Sequence, residues 1–363
     1  MLKTAIVGAT GVVGQQFVIA LQGHPWFEIS CLAASERSAG KTYNEALQDE
    51  KTGALRWFCE ERPEQSVLEM RVENAAEIKP ASFDLIFTAI EAEQALELEP
   101  KFAKETPVIS TAASFRYELD VPILVPGVNP EHAKLIEIQR KKRNWKGFIA
   151  PIPNCTATGL VVSLKPIYDN FGLNMVLMTS MQAVSGAGRS PGVLAFDIID
   201  NVIPFIPKEE EKVQNEARKI LGDYEKGKVI NAGFKVSCTC TRVNVKDGHT
   251  ESVFVSTKKH CDVEDVKNAM KKFSPILRKS DLPSAPKEMI VVLDDPFRPQ
   301  PKLDRNTHGG MATVVGRIRK DDALGNGIKY VLVSHNTKMG AAKGAVLVAE
   351  SLVKANYIQG GGN

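Results

Sequence analysis

The sequence predicts an α/β protein of two domains: an N-terminal domain built on a parallel, doubly wound sheet, and an α+β domain with a mixed, largely antiparallel sheet. Three observations predict it. Residues 2–7 read as a buried strand that runs into Gly8-Ala-Thr-Gly-Val-Val-Gly14 and then into an apolar-periodic helix ending near residue 21. Strand, glycine turn and helix in that order point to a dinucleotide-binding Rossmann unit, since the glycines let backbone approach a pyrophosphate and the helix N-terminus attracts its charge; the spacing is G-x-x-G-x-x-G rather than the commoner G-x-G-x-x-G, and a turn used only for tight packing is the alternative. Later, residues 234–245 and 250–257 are long runs rich in Val, Thr and Cys, and further β runs follow near 289–293, 311–319 and 328–333, too many antiparallel-type strands for a second such unit. Finally, 363 residues exceed what one core usually serves. The expected division is 1–153 and 154–335, with a C-terminal helix from about 336–363 packing back onto the first domain.

Composition narrows the function classes. The chain is 43% hydrophobic and 25% charged, as in globular proteins, and its net charge of +3 is too small to imply nucleic acid or an anionic membrane as partner. No apolar run has membrane-spanning length, and the first residues lead straight into a strand, so neither a membrane nor export is expected. Six cysteines, at 31, 59, 155, 238, 240 and 261, show no C-x-x-C spacing, which argues against a metal site and for free thiols in a cytoplasmic protein.

In the first domain, residues 27–33 read as the second strand. Its end, where an acidic residue would take a ribose hydroxyl, is Ala33-Ala-Ser-Glu-Arg-Ser-Ala-Gly-Lys41. Ser35, Arg37, Ser38 and Lys41 suit a 2′-phosphate instead, with Glu36 as the residue that argues against it. Gly8, Thr10, Gly11, Val12, Val13 and Gly14 are the other cofactor candidates of this domain. Residues 43–64 are polar and irregular. Residues 83–88 and 107–110 read as buried strands, and Arg116 lies just past the second, where open α/β sheets bind ligands. The basic run 140–143 ends a helix starting near 130 and reads as a solvated face.

The stretch Pro151-Ile-Pro-Asn-Cys-Thr-Ala-Thr-Gly-Leu160 opens the second domain. A strand over 147–152 turns there into a helix over 156–171 that contains Pro166. Cys155 thus stands at a helix N-terminus, whose field favours the thiolate and whose N–H groups can hold an oxyanion. A buried, inert cysteine is the alternative. Residues 174–183 alternate as a strand and enter the glycine-rich loop Val184-Ser-Gly-Ala-Gly-Arg-Ser-Pro-Gly192. A helix over 193–202 is expected, then one over 208–221, on which Glu209 and Lys212 share a face. Lys246-Asp-Gly-His249 reads as a hairpin turn flanked by Arg242 and His249. His249 is a candidate acid/base, though a lone loop histidine is more often solvated. Cys238 and Cys240 share a strand face and read as core.

Together these residues resemble aspartate-β-semialdehyde dehydrogenases over nearly the whole chain, in segments 8–14, 110–117, 153–159, 182–192, 209–212, 242–249 and 336–344. P-N-C-T before a helix, Q-A-V-S-G-A-G and R-V-x-V-x-x-G-H are the specific ones, and the archaeal and fungal branch is the most similar. The resemblance implies a Rossmann NADP(H) domain, a catalytic domain that also dimerises through its sheet, a homodimer or homotetramer, and no metal. It implies Cys155 as nucleophile, His249 as acid/base and Gln182 orienting the covalent intermediate. It implies Arg242 on the substrate carboxylate, Glu209 on its ammonium, Arg116 and Lys212 on inorganic phosphate with Asn154 nearby, and Ser185, Gly186 and Asn336 as further cofactor contacts. The implied reaction is reversible conversion of aspartyl phosphate to aspartate semialdehyde through a cysteine thioester, toward lysine, threonine and methionine. The stretch 43–64 departs from the family and is expected to bear on oligomer contacts. Malonyl-CoA reductase and N-acetyl-γ-glutamyl-phosphate reductase share the architecture but need no Glu209. A non-catalytic NADP-binding sensor would need the glycines but not Cys155, Arg242 and His249 together.

Overall fold

The computed structural model describes residues 1–188 and 192–360, so Arg189, Ser190 and Pro191 of the glycine-rich loop lie outside the described residues. The chain divides into two compact units: Met1–Leu124, Glu131–Ile152 and Ala341–Asn363, and Val125–Pro130 with Pro153–Gly340. Residues 125–130, expected in the first domain, thus fall in the second unit.

The first unit runs β1 Leu2–Val7, α1 Val12–Leu21, β2 Phe27–Ala34, α2 Tyr43–Ala46, α3 Gln65–Leu68, β3 Val72–Asn74, β4 Leu85–Thr88, α4 Ala92–Ala103, β5 Val108–Ser110, α5 Leu135–Arg143 and β6 Ile149–Pro151. Its strands pair in parallel in the order β3-β2-β1-β4-β5-β6. Strands β4, β5 and β6 are buried at every position, the mark of a sheet covered on both faces. The helix expected from about 130 begins only at Leu135, after a 3₁₀ turn over Pro130–Lys134. Its basic end is not simply a solvated face. Arg143 donates from Nε and Nη2 to buried Asp120, at 2.6 and 2.9 Å. Residues 43–64 lie on their own unit: Gln15 of α1 donates from Nε2 to the Arg56 carbonyl and accepts at Oε1 from the Phe58 N–H, both at 2.8 Å.

The second unit runs α6 Cys155–Phe171, β7 Leu173–Gln182, α7 Ala195–Ile198, β8 Val202–Ile203, α8 Glu209–Ile220, β9 Asp223–Glu225, β10 Lys228–Ile230, β11 Lys235–Val243, β12 His249–Thr257, α9 Val263–Phe273, β13 Ile290–Leu293, α10 Pro301–Asp304, β14 Thr313–Asp321 and β15 Gly327–Ser334. Its main sheet has the order β13-β14-β15-β12-β7-β11-β8. Pairs β7–β11 and β13–β14 are parallel; β8–β11, β7–β12, β12–β15 and β14–β15 are antiparallel. Two sequence expectations fail here. The helix over 193–202 shrinks to α7 and the strand β8, because Leu194, Phe196 and Ile199 stay exposed and no apolar face is buried to hold a longer helix. Strands β11 and β12 are not a hairpin: β7 stands between them, so the connection spans two strand spacings, about 10 Å, rather than one. Helix α11, Ala342–Lys354, belongs to the first unit, where Glu350 accepts from His24 Nε2 at 2.9 Å.

Candidate active site

Strand β7 sets the geometry. Because β11 runs parallel and β12 antiparallel to it, Arg242 registers with Gln182, and His249 immediately precedes Thr250, which registers with Met181. His249 registers in turn with Ser334 of β15. Alternation along each strand turns Arg242, Gln182, His249 and Ser334 inward as one buried row. A second inward row, Cys240, Ser180 and Glu251, lies behind it. The α6 helix packs against β7, β12 and β15.

Cys155 is the first residue of α6, and Asn154 caps the helix by accepting from the Thr156 and Ala157 N–H groups at 2.9 and 3.1 Å. Those two donors are therefore not the oxyanion holders that the helix start suggested. His249 supplies a donor instead. Its Nδ1 accepts from the Ala183 N–H at 3.1 Å, which leaves the ring proton on Nε2, 3.2 Å from Cys155 Sγ. Burial, then the charges of Arg242 and His335, push the His249 pKa down to about 3, so the ring is neutral near pH 7. Cys155 alone combines partial exposure with this imidazole: burial pushes the Cys31 and Cys240 thiols up to about 12 and raises Cys238 and Cys261 as well.

Charged groups of both signs flank the thiol. Buried Arg242 donates from Nη1 to the Ala183 carbonyl at 2.8 Å, and burial lowers its pKa against the opposing influence of Cys155 and Glu209. Glu209, first residue of α8, accepts at Oε1 from Asn154 Nδ2 at 2.8 Å and from Gln182 Nε2 at 3.0 Å, while Lys212 Nζ stands 3.6 Å from Oε2. Gln182 also donates to the Thr156 hydroxyl. The Asn154 side chain is thus engaged at both ends, as helix cap and as donor to Glu209. Asn336 accepts from the Gly248 N–H and donates to the Ser185 hydroxyl, both at 2.8 Å, which ties the glycine-rich loop to the turn before His249. A Cβ on Gly186 would stand 3.0 Å from Arg242 Nη1 and 3.2 Å from His249 Cε1.

Two residues of this cluster were missed in the sequence. Glu216 Oε2 accepts from the Asn154 N–H at 2.6 Å; it is one of the inward residues of α8 with Glu209 and Val213, and that seven-residue spacing was the available signal. Gly340 has no such signal: only the fold shows that a Cβ there would lie 2.8 Å from Cys155 Cβ.

Within the first unit, Gly8 has φ +88°, and a Cβ there would meet the Ala89 carbonyl at 2.2 Å. A Cβ on Gly14 would meet the Gly8 carbonyl at 2.1 Å, whereas at Gly11 the nearest atom is 3.4 Å away. A cleft of about 420 Å³ opens at this turn, lined by Gly8, Thr10, Gly11, Ser35 and Gln94 among others. Helix α1 has no acidic residue in its first turn to oppose an anion, and Val12 and Val13 are its first two residues. A smaller recess of about 150 Å³ is lined by Arg37, Ser38, Lys41 and Arg56 together with Asp49 and Glu50. The stretch 43–64 thus borders the proposed 2′-phosphate residues, and Lys41 is paired with its Glu50 at 2.8 Å. The glycine turn would hold a pyrophosphate, and Arg37, Ser38 and Lys41 are the groups that would meet a 2′-phosphate, with Asp49 and Glu50 beside them. Arg116, also of this unit, is buried and donates from Nη2 to the Thr111 carbonyl at 3.0 Å. Among the described residues, no group of three or more His, Cys, Asp or Glu side chains is placed to hold a metal ion, and no helix is long and apolar enough to cross a membrane.

A nucleotide-binding parallel sheet, joined in one chain to a helix-terminal cysteine bonded to a neutral histidine, defines a thiol-dependent aldehyde dehydrogenase. Residues 3–136 match the semialdehyde dehydrogenase NAD-binding domain and residues 164–339 the semialdehyde dehydrogenase dimerisation domain. The chain belongs to the aspartate-semialdehyde dehydrogenase family. It is 45% identical to the aspartate-semialdehyde dehydrogenase of Methanothermobacter thermautotrophicus over 96% of this chain and 98% of that protein. It is 41% identical to that of Saccharomyces cerevisiae over 97% and 98%. The crystal structure of the Candida albicans enzyme with NADP superposes with a TM-score of 0.87 at 38% identity, covering 99% of this chain and 100% of that one. The Vibrio cholerae enzyme II complexed with ASA superposes at 0.76 and 29% identity, covering 98% of each.

Proposed function

We propose that the chain catalyses the reversible, NADPH-dependent reductive dephosphorylation of L-aspartyl-4-phosphate to L-aspartate 4-semialdehyde. The observation that carries this reading is the single cluster in which Cys155 Sγ meets His249 Nε2 at 3.2 Å while Arg242 and Glu209 stand beside it. A nucleophile flanked by one cation and one carboxylate suits a substrate with a carboxylate and an ammonium next to the reacting chain.

In the reductive direction the Cys155 thiolate attacks the acyl carbon, the acyl C–O bond to phosphate breaks, inorganic phosphate leaves, and the acyl group is held as a thioester. When bound, the nicotinamide supplies the hydride. The His249 Nε2–H, fixed by the Ala183 N–H behind it, donates to the oxygen that becomes negative at the acyl carbon. Gln182, held between Glu209 and Thr156, orients the acyl chain, and Arg242 receives its carboxylate bidentately. Lys212 is a phosphate-binding residue of the second unit, and Arg116 is one of the first unit. Ser185, Gly186 and Asn336 serve the cofactor side of the second unit. The chain works as an oligomer of at least two copies; the dimerisation-domain match and the exposed Leu194, Phe196, Ile199 and Phe205 support that reading.

Purified protein incubated with aspartate semialdehyde, phosphate and NADP⁺ should produce NADPH absorbance that depends on all three. Faster turnover with malonyl-CoA or N-acetyl-γ-glutamyl phosphate in the reverse direction would overturn the substrate assignment.

A further inference from the structure

Glu99 is a fully buried carboxylate that the chemistry above does not use. It lies on α4, and its Oε1 accepts from two hydroxyls, Thr88 Oγ1 and Ser110 Oγ, at 2.6 Å each. Those are the last residues of β4 and β5, so one oxygen ties together the C-terminal ends of two adjacent parallel strands, the edge at which such sheets bind ligands. Ser110 Oγ also accepts from the Ala112 N–H at 3.0 Å, and Thr111 donates from its N–H and Oγ1 to the Thr88 carbonyl at 3.0 and 3.1 Å. The loop so fixed carries Arg116, whose Nη2 holds the Thr111 carbonyl. The other oxygen, Glu99 Oε2, is buried with no hydrogen-bond partner among the described residues.

We propose that Glu99 is a positioning residue for Arg116, and that it links anion binding at that arginine to the uptake of one proton. The proposal rests on the reading of Arg116 as a phosphate-binding residue. The strands packed against α4 are β4, β5 and β6, whose residues are LIFT, VIS and IAP, so none contributes a titratable group. Arg116 is the charged group that acts on Glu99. Burial raises the Glu99 carboxyl to about 7 in spite of the two hydroxyls and Arg116, which favour its charge. Near neutral pH both forms are therefore populated. Ionised Glu99 offsets part of the Arg116 charge; protonated Glu99 leaves it whole for an incoming anion. By linkage, an anion on Arg116 raises the proton affinity of Glu99, and a proton on Glu99 raises the affinity for the anion by the same factor.

Sulfate tests this, because it stays a dianion throughout the range in which phosphate itself titrates. Its inhibition constant against varied phosphate should rise by about fivefold or more between roughly pH 6 and roughly pH 8.5 in the wild type, a typical coupling. In Glu99→Gln, which keeps an acceptor for both hydroxyls, the constant should stay low and flat. An equal slope in both proteins overturns the role of Glu99. Arg116→Leu separates the two readings: unchanged sulfate inhibition there means that Arg116 does not bind the anion. Calorimetry of sulfate binding to the wild type in two buffers of different ionisation enthalpy needs no variant. Proton uptake near pH 7 supports the coupling, and its absence overturns it.

Discussion

Glu209→Gln isolates one charge in the cluster around Cys155. In the structure Glu209 Oε1 receives Asn154 Nδ2 and Gln182 Nε2, and Oε2 faces Lys212. A glutamine amide oxygen in the Oε1 position keeps both donated hydrogen bonds, so the helix cap at Asn154 and the set of Gln182 survive. What is lost is the negative charge. Bonds to a charged acceptor are worth about 1.5–3 kcal/mol and neutral ones about 0.5–1.5, so the two internal bonds together weaken by about 2 kcal/mol before relaxation. A modest fall in Tm follows, where a surface pair with Lys212 alone would give almost none. On the proposed reading the substrate ammonium would lose a comparable charge-assisted bond, and about 1.5–3 kcal/mol corresponds to roughly ten- to more than a hundredfold in kcat/KM. The assay is initial-rate NADPH formation with varied aspartate semialdehyde at fixed saturating phosphate, then the converse. KM for the semialdehyde should rise strongly and KM for phosphate little. A variant that loses Tm but keeps the wild-type KM for semialdehyde would refute the reasoning and leave Glu209 as a brace for Asn154 and Gln182.

Cys155→Ser should abolish turnover while NADP binding, followed by fluorescence, persists; limited iodoacetamide should modify Cys155 before Cys238 or Cys240, and mass spectrometry showing the reverse order would remove the assignment. NADP should be used better than NAD, with Arg37→Ala erasing most of the ratio of kcat/KM; an unchanged ratio would mean that Glu36 governs the ribose. His249→Ala should lower kcat by roughly 10²–10³-fold, the usual cost of losing one oxyanion donor. The depressed pKa of His249 also has a stability signature. The unfolded chain takes a proton at an ordinary histidine value of about 6.5, which the folded ring refuses until about 3, so stability is retained above about 6.5 and lost as pH falls through that window. Tm measured from neutral to mildly acidic pH should fall more steeply for the wild type than for His249→Gln; parallel curves would show that the ring protonates freely in the fold.

What the sequence made legible was local. The position of Cys155 needed only a strand, a turn and a helix in succession, and Glu209 with Lys212 needed only helical spacing. What it hid was tertiary. A turn signal at 246–249 carried no information about a third strand entering between its arms, so Gln182 was not expected between Arg242 and His249. The 193–202 segment has helical periodicity but buries too little of it. Glu216, Gly340 and Glu99 are single residues whose roles exist only through partners far along the chain, and a lone buried carboxylate looks like a surface one until its hydroxyls are seen.

The intercalated position of β7 has a consequence for the life of the chain on the ribosome. Cys155 and the imidazole of His249 are separated by 94 residues, and the strand that brings them together must first accept a partner on each side. Long-range pairing of this kind forms late, after local helices. A nascent or truncated chain that ends before β12 therefore carries Cys155 as an ordinary thiol on a helix end. The hydrogen bond between His249 Nε2 and Cys155 Sγ can exist only once β12 has paired with β7, so the site is completed by the second half of the sheet.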